Sequence, residues 1–470
     1  MSTGWQASKE TIIFINITPL ASTIASTARR FEDADNQSTL RKNRDRKSIY
    51  QISAATRPVL IYQRHPQIQD FLSCRRIPTF PTPHRFPIFH SRFPFRYPGS
   101  PLCGLPHTSS QHPPPSPRTE LSAVTMSIDT KVAVSGVSGF IGAQVACDLL
   151  HRGYTVHGTV RKNVPEKTQH LTALDGYPGA LKIFEADLLV PGSFDEAVAD
   201  CDYAMHIASP YFLNAKDPQK DLIDPAVNGT LCFLKACHKA LVKKVVLTSS
   251  FAAVTDHGEK NKVFDEGDWN TTSTVDSLAY YHSKAMAERA AWKFVEETAP
   301  EMKLVVINPV GVIGPSLIKP MNETMTIIAN TVEGKFYGVV DLSFTFVDVR
   351  DVSEAHIRAM ESDTASGRYI CCCDRLVSHR ELVDLLVEAG FQPPTRSLVS
   401  KVMTSVIKTM SYVVPGGEAG VFTRNQLGNS PVPTNAKIIQ DLDMEFRDAA
   451  AIVKETIQDM IRHGHITPEN

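Results

Sequence analysis

The chain predicts an α/β fold: a doubly wound parallel sheet with a smaller C-terminal lobe, preceded by an extension that builds no core. Three observations lead there. Short β-branched runs alternate with longer segments of helical period from Lys131 to Ile307. A glycine-rich turn, Gly136-Val137-Ser138-Gly139-Phe140-Ile141-Gly142, joins the first strand to the first helix. The composition also breaks near residue 125, so the first quarter of the 470 residues stands apart from the rest.

Residues 1–125 carry 16 Lys and Arg against 7 Asp and Glu, and the other 345 carry 33 against 43, so the formal net charge of −1 hides two opposite segments. Fourteen prolines lie between Pro58 and Pro117, including Pro113-Pro114-Pro115. Proline removes backbone donors and fixes φ, which excludes ladders and long helices. The extension is therefore expected to be disordered or extended. Three origins fit it: a reading frame extended upstream of Met126, an Arg- and Ser-containing organelle-targeting segment, or a basic tail for acidic partners. The first is preferred, because Met126 directly precedes the first clear strand, and a cytoplasmic setting follows from it.

No stretch reaches the ~20 apolar residues that span a bilayer, and Thr11–Leu20 is short and interrupted by Pro19. Neither membrane nor nucleic acid is an expected partner. The nine cysteines form no Cys-x-x-Cys pair, and Cys371-Cys372-Cys373 alternate on an expected strand. Reduced thiols suit this pattern better than a disulfide framework, and no metal site is expected.

The elements follow in order. Lys131–Ser135 reads as a buried strand. Ile141–Arg152 reads as a helix through Val145, Leu149 and Leu150, closed by Gly153. Thr155–Val160, Leu181–Ala186, Tyr203–Ala208, Val245–Thr248 and Leu304–Ile307 are the next strands. Helical segments at Thr168–Leu174, Ser193–Ala199, Asp224–Leu241 and Ala279–Thr298 separate them. Such alternation implies right-handed crossovers and a sheet covered on both faces. After Pro309 the pattern turns irregular, with helices expected only at Leu382–Glu388 and Ala449–Arg462. Residues 126–314 are expected to form the dinucleotide-binding domain. Residues 315–470 are expected to form mainly the substrate-binding lobe, interleaved with it, with 315–345 and 375–435 as the lobe's candidates.

The glycine turn carries chemistry. Gly136 lets the chain turn sharply, Gly139 lets the backbone approach a pyrophosphate, and Gly142 lets the helix pack closely. The helix N-terminus then presents free N–H groups to the phosphates. An acidic residue about 20 positions on would hold the ribose hydroxyl of NAD. Arg161 stands there instead, 19 residues after Gly142. A guanidinium suits a 2′-phosphate, so NADP(H) is the expected cofactor. Asp187, after the third strand, is either an adenine contact or a turn cap.

A hydride delivered to a carbonyl carbon leaves an oxyanion that needs a proton. Tyr280 and Lys284 lie four residues apart, on one face of the expected helix. A nearby ammonium lowers a phenol that otherwise titrates near 10. Tyr281 is the alternative donor if the helix begins later. Ser250, at the carboxyl end of a parallel strand, is placed to hydrogen-bond a substrate oxygen.

These stretches together resemble the extended short-chain dehydrogenase/reductases, in the branch of dihydroflavonol, cinnamoyl-CoA and methylglyoxal or aldehyde reductases. Matching runs include Val134-Ser135-Gly136 through Gly142, Gly158-Thr159-Val160-Arg161, His206-Ile207-Ala208-Ser209-Pro210, Asn228-Gly229-Thr230, Tyr280 through Lys284 with Ala287-Glu288, Asn308-Pro309 and Phe346 through Val352. The resemblance implies a Rossmann domain, a small substrate lobe and a triad at Ser250, Tyr280 and Lys284. It implies cofactor contacts at Gly136, Ser138, Gly139, Phe140, Ile141, Gly142, Arg161, Asp187, Leu188, Ala208, Ser209, Tyr280, Lys284, Pro309 and Val312. The state implied is a monomer, or a homodimer joined through a helix such as 279–298.

Three positions depart from the pattern. Thr255 stands where flavonoid reductases usually carry Asn, and Asp276-Ser277-Leu278-Ala279-Tyr280-Tyr281 replaces the run typical of cinnamoyl-CoA reductases. Ala226 stands where shorter relatives place a proton-relay Asn. The leading expectation is NADPH-dependent reduction of an aldehyde or ketone of modest size. The alternatives are oxidation of a secondary alcohol, of the 3β-hydroxysteroid or sugar-nucleotide type, and a redox sensor that binds NADP without turnover.

Overall fold

The computed structural model describes residues 130–468 apart from 173–178, 210–216 and 414–416. The disorder expected of residues 1–125 and the start expected at Met126 lie outside the described residues.

Lys131–Ser135 (β1) runs through the glycine turn into Phe140–His151 (α1), and Thr155–Val160 (β2) leads to Pro165–Thr172 (α2). Leu181–Glu185 (β3), the single turn Asp195–Val198 (α3) and Tyr203–His206 (β4) follow. A π-turn at Gln219–Ile223 opens Asp224–Lys239 (α4), then come Lys244–Thr248 (β5), Val263–Phe264 (β6), Ala279–Thr298 (α5) and Lys303–Pro309 (β7). Beyond Pro309 lie Gly311–Ile313 (β8), Glu323–Val332 (α6), Ser343–Phe344 (β9), Phe346–Asp348 (β10), Val349–Glu361 (α7) and Gly367–Cys371 (β11). The chain continues through Val377–Ser378 (β12), His379–Glu388 (α8), Lys401–Val413 (α9), Gly417–Gln426 (α10), Val432–Pro433 (β13), Ala436–Leu442 (α11) and Ala449–Arg462 (α12).

Seven parallel strands make the main sheet in the order β11-β7-β5-β4-β1-β2-β3. The order reverses at β1, so a crevice opens at the carboxyl ends of β1 and β4, where such sheets take ligands. The central strands are buried almost end to end because both faces are covered, and alternate residues of each enter the two opposite cores. Val132, Val134, Val246, Val305 and Ile307 join α1 and α7 in one core cluster. Ala133, Val245, Leu247, Leu304 and Val306 join α4 and α5 in the cluster on the other face. A third cluster, with Met325, Ile328, Phe346, Leu382, Leu386, Ile452 and Ile457, fills the C-terminal lobe. Phe140, in the first turn of α1, packs against both the sheet core and the lobe core.

Gly153 ends α1 as expected, with φ +87° and hydrogen bonds from Gly153 N–H to Leu150 O and from Tyr154 N–H to Leu149 O. Several expectations need correction. The strand expected at Cys371–Cys373 lies earlier, at β11, where it is the seventh strand of the sheet, and α7 was not anticipated. The irregular stretch expected at 375–435 contains the helices α9 and α10 as well as α8. Cys371, Cys372 and Cys373 do not alternate: β11 ends at Cys371 and all three side chains are buried. Shorter elements replace the expected Ser193–Ala199 helix and Tyr203–Ala208 strand, because Ser193 and Ala208 are held by turn hydrogen bonds instead. The cysteines among the described residues are free. Among those residues no helix is long and apolar enough to cross a membrane.

Candidate active site

The glycine turn is built against two neighbouring strand ends. Gly136 has φ +74°, open to glycine without strain, and its N–H bonds Thr159 O at 3.0 Å. A Cβ on Gly136 would stand 3.1 Å from Ala208, and one on Gly142 would overlap the Gly136 carbonyl. Gly139 is the N-cap of α1 and offers no side-chain cap, so the first amides of the helix keep their donors for another acceptor. Ser138 is half-buried, and Ile141 packs against the sheet core beside the turn.

Ser135 ties this turn to the end of β4. Its Oγ accepts from the backbone N–H groups of Ile207 and Ala208, each at 2.9 Å, and meets His206 Nδ1 at 3.0 Å. Having accepted twice, the hydroxyl donates to His206, which requires that Nδ1 carry no proton. Burial together with the charge of Lys284 pushes His206 down to about 3, so the ring is neutral. Phe233 stacks on it with ring centroids 4.6 Å apart.

The triad residues converge across α5 and the loop after β5. Ser250 is the extended N-cap of the turn Phe251–Ala253, where its Oγ accepts from Ala252 N–H at 3.1 Å. It is also hydrogen-bonded to Tyr280. Tyr280 lies in the first turn of α5, whose N-cap, Leu278, takes the left-handed conformation at φ +57°. Lys284 Nζ lies 5.7 Å from the centre of the Tyr280 ring and donates to Ser209 Oγ at 2.9 Å. The helix begins early enough to give Tyr280, not Tyr281, this contact with Lys284.

Electrostatics correct one expectation. The phenol of Tyr280 is not lowered: burial pushes it up to about 12, against a smaller downward pull from the Ser250 hydrogen bond. Burial also pulls the Lys284 amine down to about 8, and Glu288 opposes that fall. Desolvation is the leading cause for both groups, and it acts in opposite directions because it disfavours the charged form of each.

Arg161 is exposed at the end of β2 and forms no ion pair among the described residues. Asp187 caps a turn, its Oδ1 accepting from Leu189 N–H at 2.9 Å. Leu188 packs against α4, where a Cβ on Gly229 would meet its side chain. Pro309 ends β7, opposite Cys371, and Val312 pairs with Val347 in the separate β8–β10 ladder, away from the main sheet. Thr255 is locked in its own turn, its Oγ1 donating to His257 O at 2.8 Å, and Ala226 is buried in α4.

The sequence reading gave no role to Ser135, Glu288, Asn308 or Arg368. Glu288 carries a visible signal, since it follows Lys284 by four residues and shares its helix face. Its carboxylate accepts from Ser249 Oγ at 2.6 Å, Asn308 Nδ2 at 2.8 Å and Arg368 Nε at 2.6 Å.

Comparison with known proteins agrees with this geometry. Residues 132–372 match the NAD dependent epimerase/dehydratase family. The chain is 44% identical over 265 residues to "Cinnamoyl-CoA reductase CAD2" of Medicago truncatula, covering 55% of this chain and 80% of that protein. It is 37% identical over 266 residues to the "Bifunctional dihydroflavonol 4-reductase/flavanone 4-reductase" of Malus domestica, covering 55% and 75%. Among solved structures, Gre2 from Candida albicans in complex with NADPH superposes with a TM-score of 0.58 at 28% identity, covering 71% of this chain and 99% of that one. A seven-stranded parallel sheet, the glycine turn at its switch point and this match together place the chain in the NAD dependent epimerase/dehydratase family, beside its reductases.

Proposed function

We propose that the protein is an oxidoreductase that uses NADPH to reduce an aldehyde or ketone to an alcohol, with Tyr280 as proton donor. The observation that carries the reading is the convergence of Ser250, Tyr280 and Lys284 at the mouth of the crevice, with Lys284 tied through Ser209 to the strand end beside the glycine turn. The reductases among its relatives support the reaction class.

The residues fit a dinucleotide. Gly142 and Gly136 meet so closely that no side chain fits between them, and α1 presents uncapped amides. Arg161 is an exposed cation where a 2′-phosphate would lie, and NADP(H) is the cofactor this favours over NAD(H). When bound, the nicotinamide supplies the hydride. Ser250 and Tyr280 hydrogen-bond the carbonyl oxygen and orient it, and Tyr280 gives its proton to the oxygen as charge develops there. Lys284 holds a positive charge beside the phenol and reaches the ribose side of the site through Ser209.

A phenol raised to about 12 keeps its proton in the resting protein, ready to be given to the carbonyl oxygen; the same group would act as base if the reaction ran toward alcohol oxidation. The test follows consumption of NADPH, and separately NADH, by the full chain against aldehydes, diketones, flavanonols and acyl-CoA thioesters. NADPH-dependent turnover that falls about 10²–10⁴-fold in Tyr280→Phe, with cofactor binding retained, is the expected result. NADPH binding without turnover on any of these carbonyls would move the assignment to alcohol oxidation or sensing.

A further inference from the structure

Glu288 has a fully buried carboxylate at the junction of four elements. From α5 it accepts the Ser249 hydroxyl at the end of β5 (2.6 Å) and the Asn308 amide in β7 (2.8 Å). It also accepts Trp292 Nε1 at 3.3 Å on its own helix and Arg368 Nε at 2.6 Å from β11. The same Asn308 Nδ2 reaches Ser250 O at 3.2 Å. Arg368 is held in turn: its guanidinium stacks on Trp269 at 3.9 Å and donates to Glu266 O and Asp268 O. Both neighbours of the crevice chemistry are thus gripped from behind. Ser249 precedes Ser250, and Asn308 precedes Pro309.

A buried ion pair is weak grounds for stability, since an apolar pair of similar volume often does as well. Four donors meeting one carboxylate, three of them from β7, β11 and the end of β5, are a better match to a device for fixing geometry. We infer that Glu288 is a positioning residue: through Ser249 and Asn308 it sets the backbone that carries Ser250, from a place one helical turn beyond Lys284 on α5. The inference builds on the reductase reading of the same site.

The charged and titratable groups around Lys284 are few. Glu288 faces it from α5, Tyr280 from the first turn of the same helix, and neutral His206 from β4. Among the described residues, Glu288 is the group that favours the ammonium. Arg368, on the far side of Glu288, balances that carboxylate.

The test compares Glu288→Gln, Arg368→Met and the double variant in the full chain. Two readouts are taken: steady-state kinetics against pH, and titration of [ε-13C]lysine-labelled protein, with Lys284 assigned through Lys284→Arg. Glu288→Gln should lower kcat about 10–100-fold with KM for NADPH nearly unchanged, because Ser250 loses its support rather than the cofactor its contacts. It should also move the Lys284 titration down by about half a pH unit or more, and Arg368→Met should move it up, as an unpaired carboxylate favours the ammonium further. The double variant, which leaves no buried charge unpaired and so guards against loss of fold, should restore the titration but not kcat. Wild-type kcat in Glu288→Gln, or a Lys284 titration unmoved in both single variants, would overturn the inference. The NMR titration needs no turnover, so a wild type that turns over no carbonyl defeats the reductase reading alone and leaves the effect on Lys284 to be judged separately.

Discussion

At the scale of single residues, the proposed reaction would take its pH range from Lys284. Its ammonium is withdrawn from water, and burial pulls its pKa down to about 8. Reduction needs that charge and a protonated Tyr280, which burial keeps protonated up to about 12. Activity should therefore be full below pH 8 and fall as Lys284 loses its proton above it. The pH profile of kcat/KM for NADPH, which reports groups of the free enzyme, checks this; a plateau extending past pH 10 would contradict it. Arg161 acts at the same scale on cofactor choice. Charge-assisted hydrogen bonds contribute about 1.5–3 kcal/mol, so Arg161→Ala should raise KM for NADPH roughly 10–100-fold and leave that for NADH nearly unchanged. Equal effects on the two cofactors would show that the guanidinium does not meet the 2′-phosphate.

Among elements, the turn between β1 and α1 was legible because its signal is local: strand, three glycines and helix lie within twelve residues of one another. Helix α5 was legible end to end for the same reason. The start of β11 takes its identity from a distant partner. A strand was expected at Cys371, but not its start at Gly367, since Arg368 argues against a core strand and is buried there against Glu288, 80 residues earlier. By contrast α7 keeps a clear amphipathic period, with Val349, Val352, Ile357 and Met360 buried, so it was legible and was passed over; its buried Asp351 pairs with Arg447 from far along the chain. Within the site, the placing of Ser250, Tyr280 and Lys284 near one another could be read from spacing, and Glu288 could have been from its place four residues after Lys284, whereas Ser135 and Asn308 gain their contacts only once strand ends meet. The glycine turn also makes a prediction. Alanine is favoured over glycine in a helix by about 1 kcal/mol, but a Cβ on Gly142 falls on the backbone of Gly136, and overpacking costs about 1–3 kcal/mol. Gly142→Ala should lower the thermal midpoint and shrink the further rise that NADPH brings by binding the native state. Thermal unfolding with and without NADPH checks both effects, and an unchanged NADPH-induced rise would place the dinucleotide elsewhere.

Across the whole molecule, four buried histidines among the described residues, His157, His206, His356 and His379, are pulled down by desolvation, and three of them, in different parts of the fold, are pulled down far. His206 lies beside the glycine turn and is pushed down to about 3. His356 in α7 bonds Thr248 and is pushed down to about 4, and His379 opens α8 in the lobe and is also pushed down to about 4. Desolvation is the leading cause in each. Unfolding returns all three to the ordinary value of 6.5, so between that pH and about 4 the unfolded chain binds more protons than the native one. Stability must therefore fall as pH falls through this window, by up to about 1.4 kcal/mol per pH unit for each histidine. Asp351, raised by burial, works in the opposite direction, but only near the carboxylate range. The full chain should show a urea midpoint that is nearly flat from pH 8 to 7 and drops steeply from 6 to 5. Because His206 and His356 belong to the sheet core and His379 to the lobe, His379→Gln should remove about one proton from that dependence whatever it does to absolute stability. An acid dependence unchanged in His379→Gln would mean that the lobe opens to water before the sheet unfolds, which would make the lobe the separately yielding half of the molecule.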